Sequence, residues 1–376
     1  MDKRTGIIVD LDNLAQNIKN LKDNLPKGTK LAAVVKADAY GHGALKVSKA
    51  AINSGADLLC FATARETMEI LKEDIDAPIL VMGPPMDDTL DLIVDFRVRQ
   101  CVFLCEHILS LQKKAEEKGL EAYVHVKVDT GMNRIGVKHI DEFKKLLETL
   151  IKCDRVIFEG MFTHFAASDE ADKTFSNSQI SKFEEFTKLA VEYGFKPILH
   201  ACNSGAIIDL PQYGYDFVRA GISMYGYYPS NKVMKDKVKL KPVMSVYTHV
   251  AHIKKIVKGE TISYGRTFKA KEDMVIATLP IGYGDGFNRL LSNKGDVLIG
   301  GQRAKILGRV CMDMTIVDIS NISGVKVGDE AIVIGKQGKE EITADEHARI
   351  CGTISYEILL SFTSRVLREY KEWVII

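Results

Sequence analysis

Short apolar runs punctuate the amino-terminal part of the chain, at residues 31–36, 57–62, 78–83, 100–104, 122–129, 158–165, 198–204 and 217–221. Between them, residues 44–54, 66–72, 107–118, 141–151 and 178–193 carry apolar positions three and four apart, the spacing of one helix face. Strands alternating with helices call for parallel pairing. Eight such units predict an α/β chain whose first domain is a closed (β/α)8 TIM-like barrel rather than an open doubly wound sheet. Neither fingerprint of the open alternative is present: Gly41-x-Gly43 lacks a third glycine, and no Gly-x-x-x-x-Gly-Lys-Ser/Thr occurs. Ahead of the barrel, Ile7, Ile8 and Val9 predict a strand, and Leu11, Leu14, Ile18, Leu21 and Leu25 predict a helix. Asp10 or Asp12 caps that helix, and Pro26 and Gly28 stop it.

Beyond Tyr228 the texture changes. Residues 229–242 are lysine-rich and aperiodic, which reads as a solvated linker, and β-type runs follow at 244–257, 274–279, 296–299, 304–310, 315–319 and 331–334, separated by glycine turns. A capping box, Thr343-x-x-Glu346, starts a terminal helix, and a second helical piece holds Tyr356. The expected domains are a barrel over residues 11–229 and a mostly β carboxyl-terminal domain over 230–376, which the amino-terminal strand of residues 1–10 joins.

Composition changes this picture little. A chain of 376 residues, 46% hydrophobic and 27% charged, has apolar material for a barrel and a smaller partner domain. A formal net charge of +1 gives no excess to attract nucleic acid. The start has no signal-like apolar segment and no later run is long enough to cross a bilayer, so a cytoplasmic protein without a membrane partner is expected. Seven cysteines are scattered without a Cys-x-x-Cys and are expected to be reduced and mostly buried, Cys101 and Cys105 inside one strand-like run. His249-x-x-His252 is the one close histidine pair and has no further ligand cluster, so no metal is expected.

Chemistry enters when polar residues are placed on the predicted strands, because a β/α barrel works at the carboxyl ends of its strands. Lys36 ends the first, Asp129 the fifth with Arg134 just beyond, His164 lies near the end of the sixth, Asn203 and Ser204 end the seventh, and Arg219 with Gly221 ends the eighth. Singly, each has a plain explanation: a snorkelling lysine, a core histidine, a salt-bridge arginine. Their coincidence at one face argues otherwise. Burial lowers a lysine amine from its free value of roughly 10.4 and makes it a nucleophile suited to imine chemistry. Ser204, Gly221 and the backbone N–H of Ile222 follow strands seven and eight, where barrels commonly bind phosphate. An imine-forming lysine beside a phosphate cradle points to pyridoxal 5'-phosphate.

Residues 33–43, Ala-Val-Val-Lys-Ala-Asp-Ala-Tyr-Gly-His-Gly, resemble the cofactor-binding signature of bacterial alanine racemases, two-domain fold-type-III enzymes that use that cofactor. The resemblance extends over nearly the whole chain, through residues 127–136, 163–165, 200–204, 218–226, 263–265, 282–286 and 308–313. It implies a barrel followed by a β domain, and a homodimer whose active sites are shared across the interface. It implies that Lys36 carries the cofactor and is the base on one face of the substrate α-carbon, with Tyr264 of the other subunit as the base on the opposite face; racemisation needs both, since the proton leaves one face and returns on the other. His164 and Arg219, with His200 behind them, would support Tyr264. Arg219 would face the pyridine nitrogen and keep it from being protonated. Arg134, with the backbone N–H of Met312, would hold the substrate carboxylate, and Lys127 would orient Arg134, as a carbamate in many relatives. Tyr40, Asn203, Ser204, Gly221, Ile222 and Tyr356 would bind the cofactor, Tyr356 also narrowing the substrate pocket; Cys311 and Asp313 would line the site, and Arg289 and Arg309 its access corridor.

The activity implied is interconversion of L- and D-alanine, supplying D-alanine for peptidoglycan. A serine or broader-specificity racemase of the same family stays open, because pockets reject an added hydroxyl poorly. An amino-acid decarboxylase of the same fold type would be expected to place an acid where this chain has Arg219, and a non-catalytic cofactor-binding protein resembles the barrel alone.

Overall fold

A computed structural model describes residues 4–73 and 75–371. Among the described residues the chain forms two units: one holds Asn13–Ala39 and Gly43–Lys241, and the other holds residues 4–12, Tyr40–His42 and residues 242–371. Strand β1 (Thr5–Asp10) belongs to the second unit. In the first unit, all eight apolar runs form strands: β2 (Lys30–Val34), β3 (Leu58–Phe61), β4 (Ile79–Val81), β5 (Arg99–Val102), β6 (Ala122–Lys127), β7 (Val156–Phe162), β8 (Ile198–His200) and β9 (Phe217–Ala220). They pair in parallel in the order β8-β7-β6-β5-β4-β3-β2-β9. The remaining gap, between β8 and β9, is bridged by Asp216 N to Leu199 O (3.1 Å) and Arg219 N to Cys202 O (2.9 Å). The result is a nearly closed TIM-like barrel.

Helices cover the barrel with the apolar face their spacing predicts. Helix Ile140–Lys152 buries Phe143, Leu146, Leu147 and Leu150, and Phe143 meets Phe186 of helix Thr174–Glu192 with ring centroids 5.1 Å apart. Each such side chain contributes roughly 1.5–3 kcal/mol when fully buried. The barrel interior has a different character, with Arg99, His125, Lys127, Glu159, His200 and Arg219 in mutual contact or electrostatic reach. One irregularity places Glu159 among them. The β6–β7 register pairs Val124 with Phe158 and then His125 with Gly160, so Glu159 is the extra residue of a β-bulge, a device that re-aims a side chain.

Strands stop sooner than the apolar runs do. Ser204 opens a short helix, Ser204–Asp209, because the Asn203 side chain caps it by accepting from Ala206 N at 3.1 Å. Cys105 likewise starts helix Cys105–Lys118 rather than extending the strand that holds Cys101. All seven cysteines are free, and Cys60, Cys101, Cys153 and Cys202 are buried.

In the second unit, β10 (Met244–His249), β11 (His252–Ile256), β12 (Thr261–Ile262), β13 (Phe268–Lys269), β14 (Met274–Leu279), β15 (Asp296–Ile299), β16 (Gln302–Lys305), β17 (Thr315–Asp318), β18 (Glu330–Gln337), β19 (Glu340–Ile342) and β20 (Leu367–Lys371) build a mostly β structure. A large sheet runs β16-β15-β18-β10-β1-β20, with β19 paired to β18; β11-β14-β17 and the β12–β13 hairpin form the others. The run at 244–257 is two strands, since the chain turns after His249. Thr343 caps its helix by accepting from Glu346 N at 3.1 Å, but the Glu346 carboxylate pairs with Arg303. A nearby guanidinium is the stronger partner for it.

Candidate active site

Lys36 follows β2 after one intervening residue, Val35, and the backbone after it is unusual. Ala37, Asp38, Ala39 and Tyr40 all have left-handed φ (52°, 51°, 53° and 56°), and Gly41 follows at 81°. For residues with a Cβ this conformation costs roughly 1–2 kcal/mol each, so it persists only where the surroundings enforce it. Here they do. Ala39 N donates to Val35 O (2.9 Å) and Gly43 N to Asp38 O (3.0 Å), while the Asp38 carboxylate accepts from Ala44 N (2.7 Å). The Glu66 carboxylate accepts from Ala37 N (3.0 Å) and Ala62 N (2.8 Å). Sequence reasoning missed Glu66, although Thr63-x-x-Glu66 is a capping box and forms one here. The amine so positioned is half-buried, and its pKa is lowered chiefly by burial and then by the Arg134 charge.

Arg219 is buried at the centre of the barrel cluster. Its guanidinium donates to Thr163 O (2.8 Å), Ala201 O (2.9 Å), His200 Nδ1 (2.7 Å) and, more weakly, His164 Nδ1 (3.3 Å). His200 is clamped between the rings of Phe162 (4.6 Å) and Phe217 (4.0 Å). Burial, then the Arg219 charge, holds both His164 and His200 well below the usual histidine value, so both rings are neutral; His164 keeps one edge open to solvent. Because Arg219 occupies its Nδ1, neutral His164 carries its proton on Nε2. Lys127 is buried, donates to Val128 O (3.1 Å) and lies over the Phe162 ring; burial and then Arg219 lower its amine to about 7. Asp129 accepts from the amides of Gly131 and Asn133, shaping the loop that carries exposed Arg134.

At the ends of β8 and β9, Gly221 N (3.0 Å), Ser223 N (3.3 Å) and Ser223 Oγ (3.0 Å) converge on Ser204 Oγ, with Ile222 heading the next helical turn. Asn203 fixes this corner by donating to Phe165 O (3.2 Å) and accepting from Ser168 Oγ (2.7 Å). Backbone amides and hydroxyls gathered on one oxygen are the donor set that a phosphate requires. An amine with a lowered pKa, this donor cluster and a buried arginine together fit pyridoxal 5'-phosphate.

The other expected residues lie in the second unit. The rings of Tyr40 and Tyr356 are 5.9 Å apart. Tyr264 follows β12 and is 70% exposed, with Ser263, Gly265 and Arg266 at positive φ. Ser263 Oγ donates to Arg309 O (2.6 Å), and Tyr283 N and Gly284 N donate to Cys311 O (3.0 Å) and Met312 O (2.8 Å). These bonds gather Tyr264, Arg309, Cys311 and Met312 into one surface region; Gly282 permits the approach, since a Cβ there would stand 2.3 Å from Cys311 O. Asp313 accepts from Arg365 (2.7 Å), and Arg289 is exposed on the Arg289–Leu291 turn. Among the described residues no group of three or more histidine, cysteine or carboxylate side chains could hold a metal, and no helix is long and apolar enough to cross a membrane.

A sequence model described as alanine racemase, N-terminal domain, matches residues 9–229, and one described as alanine racemase, C-terminal domain, matches residues 243–370. The chain is 43% identical over 364 residues to an alanine racemase of Clostridium novyi (strain NT), covering 96% of this chain and 94% of that protein. It is similar to the solved structure of alanine racemase from Clostridium difficile 630, with a TM-score of 0.92, 37% identity, and coverage of 98% of this chain and 95% of that one. A histidine racemase from Leuconostoc mesenteroides subsp. sake is similar at 27% identity, with a TM-score of 0.90 over 98% of each chain.

Proposed function

This chain belongs to the alanine racemase family, and on that premise we propose that it interconverts L- and D-alanine with pyridoxal 5'-phosphate, using two bases on opposite faces of the α-carbon. The observation that carries the proposal is Lys36, a half-buried amine of lowered pKa held on a strained turn in the same unit as a phosphate-type donor cluster and a buried arginine. When bound, the cofactor supplies the electron sink that acidifies the α-C–H bond. Lys36 would hold it covalently, with Ser204, Gly221, Ile222, Tyr40 and Tyr356 binding its phosphate and Asn203 fixing that corner. Arg219, a buried cation, would lie beside the cofactor ring and disfavour protonation of its nitrogen, which would weaken the sink and favour prompt return of the proton to carbon.

In this reading residues 11–229 are the cofactor-binding domain, and residues 230–376 with the strand of residues 1–10 are the second domain. Tyr264 and Met312, both exposed, serve the site of a second copy of the chain in a cytoplasmic homodimer. The Lys36 amine moves the proton on one face and the Tyr264 phenolic oxygen on the other. His164, neutral with its proton on Nε2, donates to that oxygen and stabilises it when deprotonated. Arg134 and the Met312 amide orient the substrate carboxylate. The neutral amine of Lys127 adds to carbon dioxide, releasing a proton and leaving a carbamate anion that orients Arg134. Cys311, Asp313, Arg289 and Arg309 border the site and its approach. The product D-alanine serves peptidoglycan synthesis.

Racemisation of L-alanine in deuterium oxide tests the two-base assignment. Each newly formed D-alanine should carry solvent deuterium at Cα from the first turnover. Substantial transfer of the substrate's own hydrogen into the product would show a single base and overturn it. A broader specificity is the second reading, favoured by the likeness to a histidine racemase, and L-serine run in parallel decides between them.

A further inference from the structure

A hydrogen-bonded chain runs from Arg219 through the barrel interior toward the amino-terminal ends of the strands. Arg219 Nη1 lies 2.7 Å from His200 Nδ1, His200 Nε2 lies 2.9 Å from His125 Nδ1, and His125 Nε2 lies 3.0 Å from Glu159 Oε2. Glu159 is gripped in turn by Arg99 Nε (3.0 Å) and Nη2 (3.2 Å). Both ends of the chain have fixed roles. A guanidinium only donates, so His200 Nδ1 accepts; an ionised carboxylate only accepts, so His125 Nε2 donates. Neutral rings satisfy both ends in one way alone, with the proton of each histidine on Nε2.

The charge states agree. Burial lowers the pKa of both His125 and His200. Burial alone would raise that of Glu159, but the bonds from His125 and Arg99 outweigh it and bring it down to about 2. The backbone is shaped for the same purpose. The bulge turns Glu159 toward His125, and Gly160 leaves room for the imidazole, since a Cβ there would stand 2.4 Å from His125 Cε1 and Nδ1. Beside the pair a cavity of roughly 260 Å³, also lined by Lys30, Asp57 and Asp216, opens at the amino-terminal end of the barrel.

We propose that Glu159 and His125 are positioning residues of the active site: acting through His200, they fix the orientation of the Arg219 guanidinium from the far end of the barrel. Arg219 and Glu159 call for the same direction of every bond in the chain, and Glu159 anchors its far end as the acceptor of the His125 Nε2 proton. Without its carboxylate, His125 is free to carry its proton on Nδ1, His200 must then do the same, and a donor meets the donating Nη1 of Arg219. The guanidinium turns away, and its bond to His164 goes with it.

The test uses the cofactor-loaded enzyme with 15N-labelled histidine. In the parent, the ring nitrogens of His125 and His200 should both report a proton on Nε2 and none on Nδ1; a charged ring or the other tautomer in either histidine overturns the proposal. Glu159→Gln retains an acceptor and should keep these signals and turn over within about threefold of the parent. Glu159→Leu should lose them, with kcat reduced roughly 10–100-fold, as for other supporting hydrogen-bond partners, while KM changes little. Parental tautomers and kcat in Glu159→Leu would also overturn it. Should Glu159→Leu not fold, the parent signals and Glu159→Gln still decide. The turnover arm rests on the proposed function, whereas the tautomer arm does not: a parent with both tautomers as stated but no racemisation would retire the function and leave the relay standing.

Discussion

Gly160→Ala is a one-methyl perturbation whose consequence can be worked out from the packing around His125. The new Cβ would lie 2.4 Å from ring atoms Cε1 and Nδ1 and 2.9 Å from Cγ. Optimal carbon contacts are roughly 3.5–4.0 Å, so the ring must retreat by about 1 Å. It has no slack to do so, being tied at 2.9 Å to His200 and 3.0 Å to Glu159, and hydrogen bonds of this kind fail within a few tenths of an ångström. Overpacking costs roughly 1–3 kcal/mol, the histidine pair roughly 0.5–1.5 and the bond to the carboxylate roughly 1.5–3, together roughly 3–7.5 kcal/mol if both bonds break. The assay is a double-mutant cycle with His125→Ala, read as urea unfolding midpoints and kcat. Gly160→Ala alone should lower both; in the His125→Ala background, where the ring is absent, it should be nearly neutral, giving a coupling of about 2 kcal/mol or more. A Gly160→Ala enzyme with the parent's midpoint and kcat, or effects that simply add, would refute the reasoning.

Tyr264→Phe removes the phenolic oxygen and should lower kcat for alanine roughly 10²–10⁴-fold in a racemisation assay, with KM little changed. Lys127, lowered to about 7 by burial and then by Arg219, burdens the fold when protonated. The unfolded chain holds that proton up to the ordinary lysine value, so stability should rise with pH from about 7 toward roughly 10.4, by on the order of 4 kcal/mol, with the full burden present below about 7. Urea midpoints at pH 6 and pH 9 in carbon-dioxide-free buffer should show the rise, and Lys127→Met should flatten it. Lys173 Nζ sits 2.6 Å from the buried carboxylate of Asp209. Lys173→Met, which leaves that charge buried without its cation, should cost roughly 3–5 kcal/mol, visible in the same midpoints.

The eight barrel strands were readable because apolar runs alternate with helical spacing, and that pattern depends on local sequence alone. Where Lys36, His164, Ser204 and Arg219 lie followed from counting to the strand ends. The left-handed turn at Ala37–Tyr40 was not readable, because alanine, aspartate and tyrosine do not ordinarily adopt it and distant partners such as Glu66 enforce it. His125 and Glu159 were hidden for a related reason. His125 sits within an apolar run, Glu159 reaches the interior through a register shift between two strands, and no residue spacing encodes their meeting. In the second unit β20 escaped notice, since Leu367–Lys371 is mostly polar and is a strand only because β1 pairs with it in parallel.

The central claim is that this chain inverts alanine through Lys36 and Tyr264. Its most direct measurement follows the circular dichroism of L-alanine over the cofactor-loaded protein while total amino acid is quantified. The signal should decay to zero with no loss of amino acid, D-alanine appearing in equal amount. A signal that stays constant, or one that falls only as amino acid is consumed and carbon dioxide released, would contradict the account.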